Sequence, residues 1–232
     1  MTNLPRIVLR WFCILSVATA AASLLSHVAR RTEWFKNRLY EQLVTGNEDE
    51  RLRAASVLAD VGAEDYLLRG LRSSDKGVSE MARRGLDHLW FHAAGSRALK
   101  MMETAYAQAE EKKFAESINV LDQILERYPN YAEALNRRAA ALWQVGEYEK
   151  SRRDCERALE INPNHYGAWQ GLGVSHLQLG DLSEACRSLR TALRIAPHDQ
   201  IAQRCLKKVE ELIRTIPAVP GQPRPPHEAD LL

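Results

Sequence analysis

The chain lacks the features that a disulfide-bonded or strand-rich protein would show. It has four cysteines in 232 residues, with no CxxC pair and no regular spacing between them. Because Cys13 lies in an apolar N-terminal run, three cysteines remain for the rest of the chain, and three cannot all pair with one another. Packed thiols in a reducing compartment are therefore expected in place of a disulfide framework. No run of alternating β-branched residues stands between turn residues, so the chain is predicted to be all-α.

Patterns that carry chemistry are equally scarce. The net charge of +2 is too close to balance for nucleic-acid binding, which normally requires a concentrated basic face. No phosphate-binding glycine loop, nucleophile–base pairing or carboxylate cluster is present, so we expect neither an enzyme nor a cofactor site. His88 and His92 could share one helix face, but no carboxylate or cysteine joins them. We expect a packed or partly exposed pair of imidazoles there and no metal site.

The first 31 residues contain one long apolar stretch, 11–28, with no charged residue except His27 when protonated. At about 1.5 Å per residue it would span roughly 27 Å, close to the ~30 Å hydrocarbon core of a bilayer. Residues 1–31 are therefore predicted to hold a membrane anchor. Two alternatives stay open, because Ala18-Thr19-Ala20 resembles a signal-peptidase site and the lack of acidic residues before Glu33 suits a mitochondrial transit peptide.

Basic residues flank this apolar stretch on both sides. They are Arg6 and Arg10 before it, and Arg30, Arg31, Lys36 and Arg38 after it. Cytoplasmic flanks of membrane segments carry an excess of Lys and Arg, so the larger group after the stretch favours a cytoplasmic location for the rest of the chain. A single-pass membrane protein is predicted; the two alternatives would make the chain exported or organellar.

Three prolines, at 129, 163 and 197, stand 34 residues apart. A fixed period of this length marks a helical repeat array. Aligned on the prolines, the chain divides into 98–131, 132–165 and 166–199. Small residues recur at the places where two helices of a unit would cross: Ala139 and Gly173, Ser151 and Ala185, Ala158 and Ala192.

These blocks resemble the tetratricopeptide repeat (TPR), whose unit is two antiparallel helices. The resemblance implies a right-handed α-solenoid. Gly146 and Gly180 stand at the turn inside the second and third units, whereas the first has Lys112 there and Ile124 where alanine is usual. Residues 200–216 look like a C-terminal capping helix with one apolar face, and 217–232, with five prolines, are expected to be a disordered tail.

Residues 32–97 carry a looser helical pattern. Alanines and leucines recur there at three- and four-residue steps, Gly46 suits a helix C-cap and Asp75 an N-cap. The pattern resembles a HEAT-type repeat, an Ala-and-Leu helix followed by a glycine turn and a Leu-rich helix. The alternative is an irregular helical cap that shields the first TPR unit. Both interpretations predict short helices stacked against the array.

The TPR resemblance also implies where a partner binds, because the first helix of each unit lines a concave groove. Carried over to this chain, the groove residues are Met102, Glu103, Tyr106, Glu133, Asn136, Arg137, Trp143, Gln144, Gln170, Val174, Gln178 and Arg204. Tyr106 and Trp143 would be aromatic anchors and Arg137 an anion contact, since these residue types dominate interface energetics. The alternative for Trp143 is packing between units.

One class of partner is not expected. TPR domains that grip the acidic C-terminal tails of heat-shock chaperones use a basic carboxylate clamp, and its five positions here hold Met102, Tyr106, Arg137, Gly167 and Gly171. Only one of them is a cation, so most charge-assisted hydrogen bonds to a terminal carboxylate would be lost. The sequence predicts a membrane-anchored scaffold that binds a peptide or helix of another protein. The alternative is a soluble exported or organellar module with a cleaved signal.

Overall fold

The computed structural model describes residues 32–215, and these form eleven α-helices and no strand. The all-α prediction is confirmed. The helices are α1 (Glu33–Thr45), α2 (Glu48–Asp60), α3 (Glu64–Leu71), α4 (Lys76–Phe91), α5 (Gly95–Glu110), α6 (Phe114–Arg127), α7 (Ala132–Gln144), α8 (Tyr148–Ile161), α9 (Tyr166–Leu179), α10 (Leu182–Ile195) and α11 (Gln200–Thr215). The predicted apolar segment and Pro-rich tail lie outside the described residues. Between residues 32 and 215, no helix is long and apolar enough to cross a membrane.

The first four helices form one packed unit, the N-terminal bundle (residues 33–91). Asn47 begins α2 in a capping box with Glu50, and Asp75 begins α4 by accepting two backbone N–H groups of the next turn. These bonds satisfy donors that a helix start leaves unpaired. The bundle core contains Leu43, Leu58, Leu67, Val78 and Leu86, all fully buried. The predicted helical pattern of this region, including the Asp75 N-cap, is therefore confirmed.

Helices α5 to α10 form three consecutive pairs, repeats 1 to 3, and each pair packs on the next. The small residues expected at the crossing points are buried: Ala139, Ser151, Ala158, Gly173, Ala185 and Ala192. In the first two repeats a serine also bonds across the pair. The hydroxyls of Ser117 and Ser151 each donate to a backbone carbonyl on the partner helix at 2.8 Å. Small side chains thus let the helices approach closely, as the sequence indicated.

The turn inside each repeat uses a left-handed backbone. The φ angle is +84° at Gly146 and +87° at Gly180, a conformation that glycine adopts at little cost. Repeat 1 has Lys112 at this turn with a φ of +60°. An L residue is strained there because its Cβ crowds the following carbonyl. The divergent residue of the first repeat therefore adopts the same turn at a higher free energy.

The three prolines lie in the loops that connect one pair to the next helix, 128–131, 162–165 and 196–199; we call these loops the loop edge. After the last of them, α11 packs on α10 and buries Ala202 and Val209. The apolar face predicted for this helix is only partly covered, since Ile201 and Leu212 remain 50% and 39% exposed. Cys155 and Cys186 are buried, in agreement with the packed thiols expected from the sequence.

The N-terminal bundle packs along the loop edge of the array. Tyr166, Ile195 and Ala196 of the array belong to the same buried cluster as the bundle core, and α4 contacts α7. Short helices stacked against the array, which both interpretations of this region predicted, are therefore present. They pack there because apolar and hydrogen-bonding groups complementary to α4 stand at the starts of α7 and α9, in the second and third repeats, and because Phe91 packs against the core of repeats 1 and 2.

Candidate partner-binding groove

The first helices of the repeats, α5, α7 and α9, carry most of the predicted groove residues. Five are exposed: Glu103, Tyr106, Gln144, Gln178 and Arg204. Five more are partly buried: Asn136, Arg137, Trp143, Gln170 and Val174. Met102 is only 1% exposed and packs in the core of repeats 1 and 2, so it lies beneath the groove surface and not on it as predicted. Its small neighbours Ala98 and Ala105 leave room for it to turn inward.

A cavity of about 340 Å³ opens between α5 and α7. Tyr106, Arg137, Ala140 and Gln144 are among its lining residues, together with the buried Met102. The Arg137 guanidinium carbon lies 5.6 Å from the centre of the Tyr106 ring, a cation–π distance. The cavity therefore combines an exposed aromatic side chain, an apolar base and one guanidinium group.

Trp143 takes part in packing between repeats. Its Nε1–H donates to the Val174 carbonyl at 3.4 Å, and its ring lies 6.1 Å from that of Tyr148. The side chain is still partly exposed. Trp143 was interpreted either as an aromatic anchor for a partner or as a packing residue between units. For the N–H edge of its indole, the structure supports packing between repeats 2 and 3.

Arg137 is held by a buried carboxylate. Glu133 is 4% exposed, and its two oxygens accept hydrogen bonds from Arg137 Nε at 2.6 Å and from His165 Nε2 at 2.8 Å. Burial by itself raises the pKa of Glu133, but the bond from His165 and the charge of Arg137 outweigh it and lower the pKa from 4.5 to about 2. Glu133 thus remains ionised inside the protein because both oxygens have donors.

The N-terminal bundle reaches the same site through Trp90. The indole ring of Trp90 stacks on the His165 ring, with centres 4.4 Å apart and planes 21° apart. Trp90 Nε1 donates to Glu64 at 2.9 Å, and the same Glu64 oxygen accepts from Asn162 of the array at 3.0 Å. A carboxylate of α3 therefore joins the bundle to the loop edge beside the stacked rings.

Helix α4 covers the half of the groove nearest the loop edge. The Tyr166 hydroxyl at the start of α9 donates to Asp87 of α4 at 2.6 Å. Burial raises the pKa of the Asp87 carboxyl, and the bond from Tyr166 opposes that rise. Gln170 lies in a separate cavity of about 580 Å³ beside Glu80 and Arg83 of α4. The groove is therefore open mainly in its other half, around Tyr106 and Gln144, and not along its whole width as the sequence implied.

His88 and His92 lie side by side on the surface of α4, with ring centres 4.0 Å apart, and both residues are exposed. His92 Nδ1 lies 2.8 Å from the His88 carbonyl oxygen, and His88 Nε2 lies 3.4 Å from Asp60. Across residues 32–215, no group of three or more His, Cys, Asp or Glu side chains is placed to hold a metal ion.

Four residues at this site were not singled out from the sequence: Glu64, Asp87, Trp90 and His165. They come from two regions with different patterns, and no spacing relates them. Glu133 was expected to face the groove, yet it is buried because His165 and Arg137 flank it. The one sequence signal for Trp90 and His165 was their place at helix ends, because aromatic side chains there are often buried when their polar atom has a hydrogen-bond partner nearby.

Comparison with known proteins settles the family. Models of the tetratricopeptide repeat match residues 101–131, 132–165 and 166–199. A TPR repeat-containing protein of Rhizobium etli is 30% identical over 144 residues, which is 62% of this chain and 70% of that protein. The chain belongs to the tetratricopeptide repeat family. The resemblance inferred from its 34-residue period is confirmed.

Other TPR proteins are similar over smaller shares. Human tetratricopeptide repeat protein 33 is 28% identical over 124 residues, and the match spans 53% of this chain and about half (47%) of that relative. The solved first TPR domain of Spaghetti (RPAP3), bound to the HSP90 peptide SRMEEVD, has a TM-score of 0.50 at 21% identity and covers 51% of this chain and 94% of that domain. At this identity the likeness concerns the TPR fold alone.

Proposed function

We propose that the protein is a membrane-anchored adaptor that binds a peptide or helix of a partner protein in the open half of the TPR groove. The observation that carries this proposal is the cavity beside Tyr106, whose side chain is 47% exposed, and Arg137. Tyrosine and arginine are among the residue types that most often dominate binding energy at protein interfaces.

The size of the cavity suits one anchoring side chain of the partner. Its volume, about 340 Å³, is at the lower end of the roughly 300–1,000 Å³ range of ligand pockets. Gln144 and Gln178 continue the open half with polar, uncharged groups. The groove thus suits a short segment that inserts an aromatic or branched aliphatic side chain and makes polar contacts on either side of it.

The partner is proposed to differ from the chaperone tail held by the Spaghetti domain. Of the five positions that would form a carboxylate clamp, only Arg137 is basic, and its Nε atom is already bonded to Glu133. Gly167 and Gly171 offer no side-chain donor. Binding of the SRMEEVD peptide should therefore be weak, with a dissociation constant in the millimolar range at tightest, and micromolar binding measured by calorimetry would contradict this part of the proposal.

The anchor is proposed to be the apolar stretch 11–28, with the repeats on the cytoplasmic side. Its length and lack of acidic residues support this. N-terminal sequencing of the protein purified from its native membranes separates the alternatives. A chain starting at Met1 or Thr2 agrees with an anchor, and a start after residue 20 would favour the exported or organellar module.

Recovery of partners from native membranes tests the adaptor role. The full chain and its Tyr106→Ala/Arg137→Ala variant are compared after solubilisation and crosslinking, with identification by mass spectrometry. The matched control is Arg157→Ala, an exposed arginine on α8, the second helix of repeat 2. We expect at least one partner to be depleted in the groove variant and retained in the control. Equal recovery of every partner would exclude the groove.

A further inference from the structure

Four side chains connect the N-terminal bundle to the open cavity. Trp90 of α4 stacks on His165, His165 donates to Glu133, and Glu133 accepts from Arg137 at the cavity. The chain of contacts crosses from the bundle to the loop edge and then to the groove. We call these four residues the relay.

The geometry fixes the tautomer of His165. Its Nδ1 atom accepts the Ala168 backbone N–H at 3.2 Å, so the proton of the neutral ring is on Nε2. Nε2 therefore donates to Glu133 at 2.8 Å without requiring a charged imidazole. The indole of Trp90 stacks on one face of the His165 ring and so fixes the plane of that ring. Glu64 accepts the indole N–H and holds the indole in place.

Each member of the relay depends on the next because the site excludes water. Glu133 and His165 are 4% and 2% exposed. A buried carboxylate is stable only while its oxygens have donors, and loss of His165 would leave Oε2 of Glu133 with only the longer bond from Asn136 Nδ2 at 3.4 Å. Loss of Trp90 would open the same place to water, which can compete for Glu133 and release Arg137.

The bond to Glu133 also decides which part of Arg137 faces a ligand. Because Nε is bonded, the two Nη groups are the donors left for an acceptor in the cavity. Glu110 and Lys112 also line the cavity, and their charges oppose each other. The guanidinium is therefore the group that sets the charge preference next to the apolar base.

We propose that Trp90 and His165 are positioning residues for Arg137: docking of the N-terminal bundle holds its guanidinium so that a carboxylate beside an apolar side chain can bind in the cavity. This inference rests on the proposed groove function and names its ligand chemistry, an acidic residue next to an aromatic or aliphatic one. Preorganisation of the arginine would raise affinity because little ordering remains to be done on binding.

The rate at which phenylglyoxal modifies Arg137, followed by mass spectrometry on the full chain in detergent, tests the relay without a partner. His165→Phe keeps a ring for Trp90 to stack on but removes the donor to Glu133. We expect roughly tenfold faster modification of Arg137, the factor for losing one hydrogen bond to a charged group. Trp90→Phe keeps an aromatic ring on His165, although it loses the bond to Glu64, and should leave a near-wild-type rate; Trp90→Ala should raise the rate.

Two controls keep this result interpretable. Arg204 is exposed and outside the relay, so its modification rate should be the same in every variant. Trp34→Ala, in the same bundle but with a side chain 70% exposed, should leave Arg137 unchanged. Circular dichroism confirms folding, and if Trp90→Ala unfolds, His165→Phe and Trp90→Phe decide alone. An unchanged Arg137 rate in a folded His165→Phe variant would overturn the relay.

The ligand chemistry is tested in the same assay with phenylacetate and its neutral analogue phenylacetamide at equal millimolar concentration. Phenylacetate should protect Arg137 in the wild type and protect it less in His165→Phe, while phenylacetamide should not protect. Equal protection by both compounds, or none by phenylacetate, would overturn the assignment of a carboxylate. Neither outcome bears on whether partners bind elsewhere in the groove, which the crosslinking comparison decides.

Discussion

The repeat array and the N-terminal bundle are both helical, but the contacts that define them differ in kind. Within the array, small residues recur at matching places 34 positions apart, and Ser117 and Ser151 make the same bond in two successive repeats. Between bundle and array, each contact occurs once: Trp90 on His165, Tyr166 on Asp87, Asn162 on Glu64. The repeated contacts share the stability of the array among equivalent sites, whereas the docking depends on single side chains.

The largest expected effect is on the docking contact. Trp90→Ala should lower the free energy of unfolding by about 3–5 kcal/mol, because a side chain only 7% exposed loses its stacking and leaves a cavity. Urea denaturation followed by far-ultraviolet circular dichroism measures it, and the bundle should unfold before the array. Trp34→Ala should change stability by less than about 0.5 kcal/mol. Equal losses in the two variants would remove the distinction between docking and exposed tryptophans.

Acidification should weaken the same interface through Glu133. Its pKa in the folded protein is about 2 against an ordinary 4.5, so its stabilisation is present above about pH 4.5 and is lost as the pH falls toward 2. The full loss would be on the order of 3 kcal/mol. Glu133→Gln should therefore show a flatter fall in urea midpoint between pH 5 and pH 3.

Asp87 contributes to the same pH profile with the opposite sign. Its raised folded-state pKa means that the folded protein binds a proton more readily and gains stability on acidification. The charge of Glu133 is one cause of that rise, so Glu133→Gln also reduces the Asp87 contribution, and the comparison is made in an Asp87→Asn background to report Glu133 alone. Parallel pH profiles would show that Glu133 is not held as an ion.

A substitution at a crossing point of the array should have a smaller effect. A Cβ on Gly173 would lie 2.6 Å from Leu189 Cγ, so Gly173→Ala should destabilise repeat 3 by about 1–3 kcal/mol. The matched control is Gly167→Ala in the same helix, where the nearest atom would be at 3.4 Å. The control should be neutral or slightly stabilising because alanine favours a helix. Thermal unfolding compares the two, and similar midpoints would argue against tight packing at Gly173.

The smallest effect expected is a gain at the strained turn of repeat 1. Lys112→Gly should stabilise the protein by about 0.5–1 kcal/mol, because glycine takes a φ of +60° without steric strain. Lys113, the next residue, has a φ of −84° and should gain nothing from the same change. Differential scanning calorimetry resolves the two. A loss of stability in Lys112→Gly would mean that the lysine side chain contributes more than the strain costs.

The sequence predicted the array because its information is local and repeated. The 34-residue period, the small residues at the crossings and the turn glycines each occur in more than one block, so each supports the others. Gly146 and Gly180 have the left-handed backbone expected of them. The Asp75 cap likewise depends on neighbours within three residues.

The docking of the bundle could not be predicted in the same way. Asn162 and Glu64 are 98 residues apart, and Tyr166 and Asp87 are 79 apart. Neither pair belongs to a repeating pattern, and whether the two residues of a pair meet depends on the three-dimensional shape of the folded array. For that reason Glu133 was assigned to the open groove and Trp90 to no role. The proposed anchor and the partner's identity stay predictions.

The reactivity of the Cys155 thiol can report how often repeats 2 and 3 separate transiently. It lies under Gly171 of the next repeat, where an added Cβ would be only 2.8 Å from Sγ, and burial raises the pKa of the thiol. A maleimide needs an exposed thiolate, so it can react there only while repeats 2 and 3 are transiently separated. The alkylation rate at this cysteine would therefore measure the rate at which the interface between repeats 2 and 3 opens. A bulky adduct would prevent that interface from closing again.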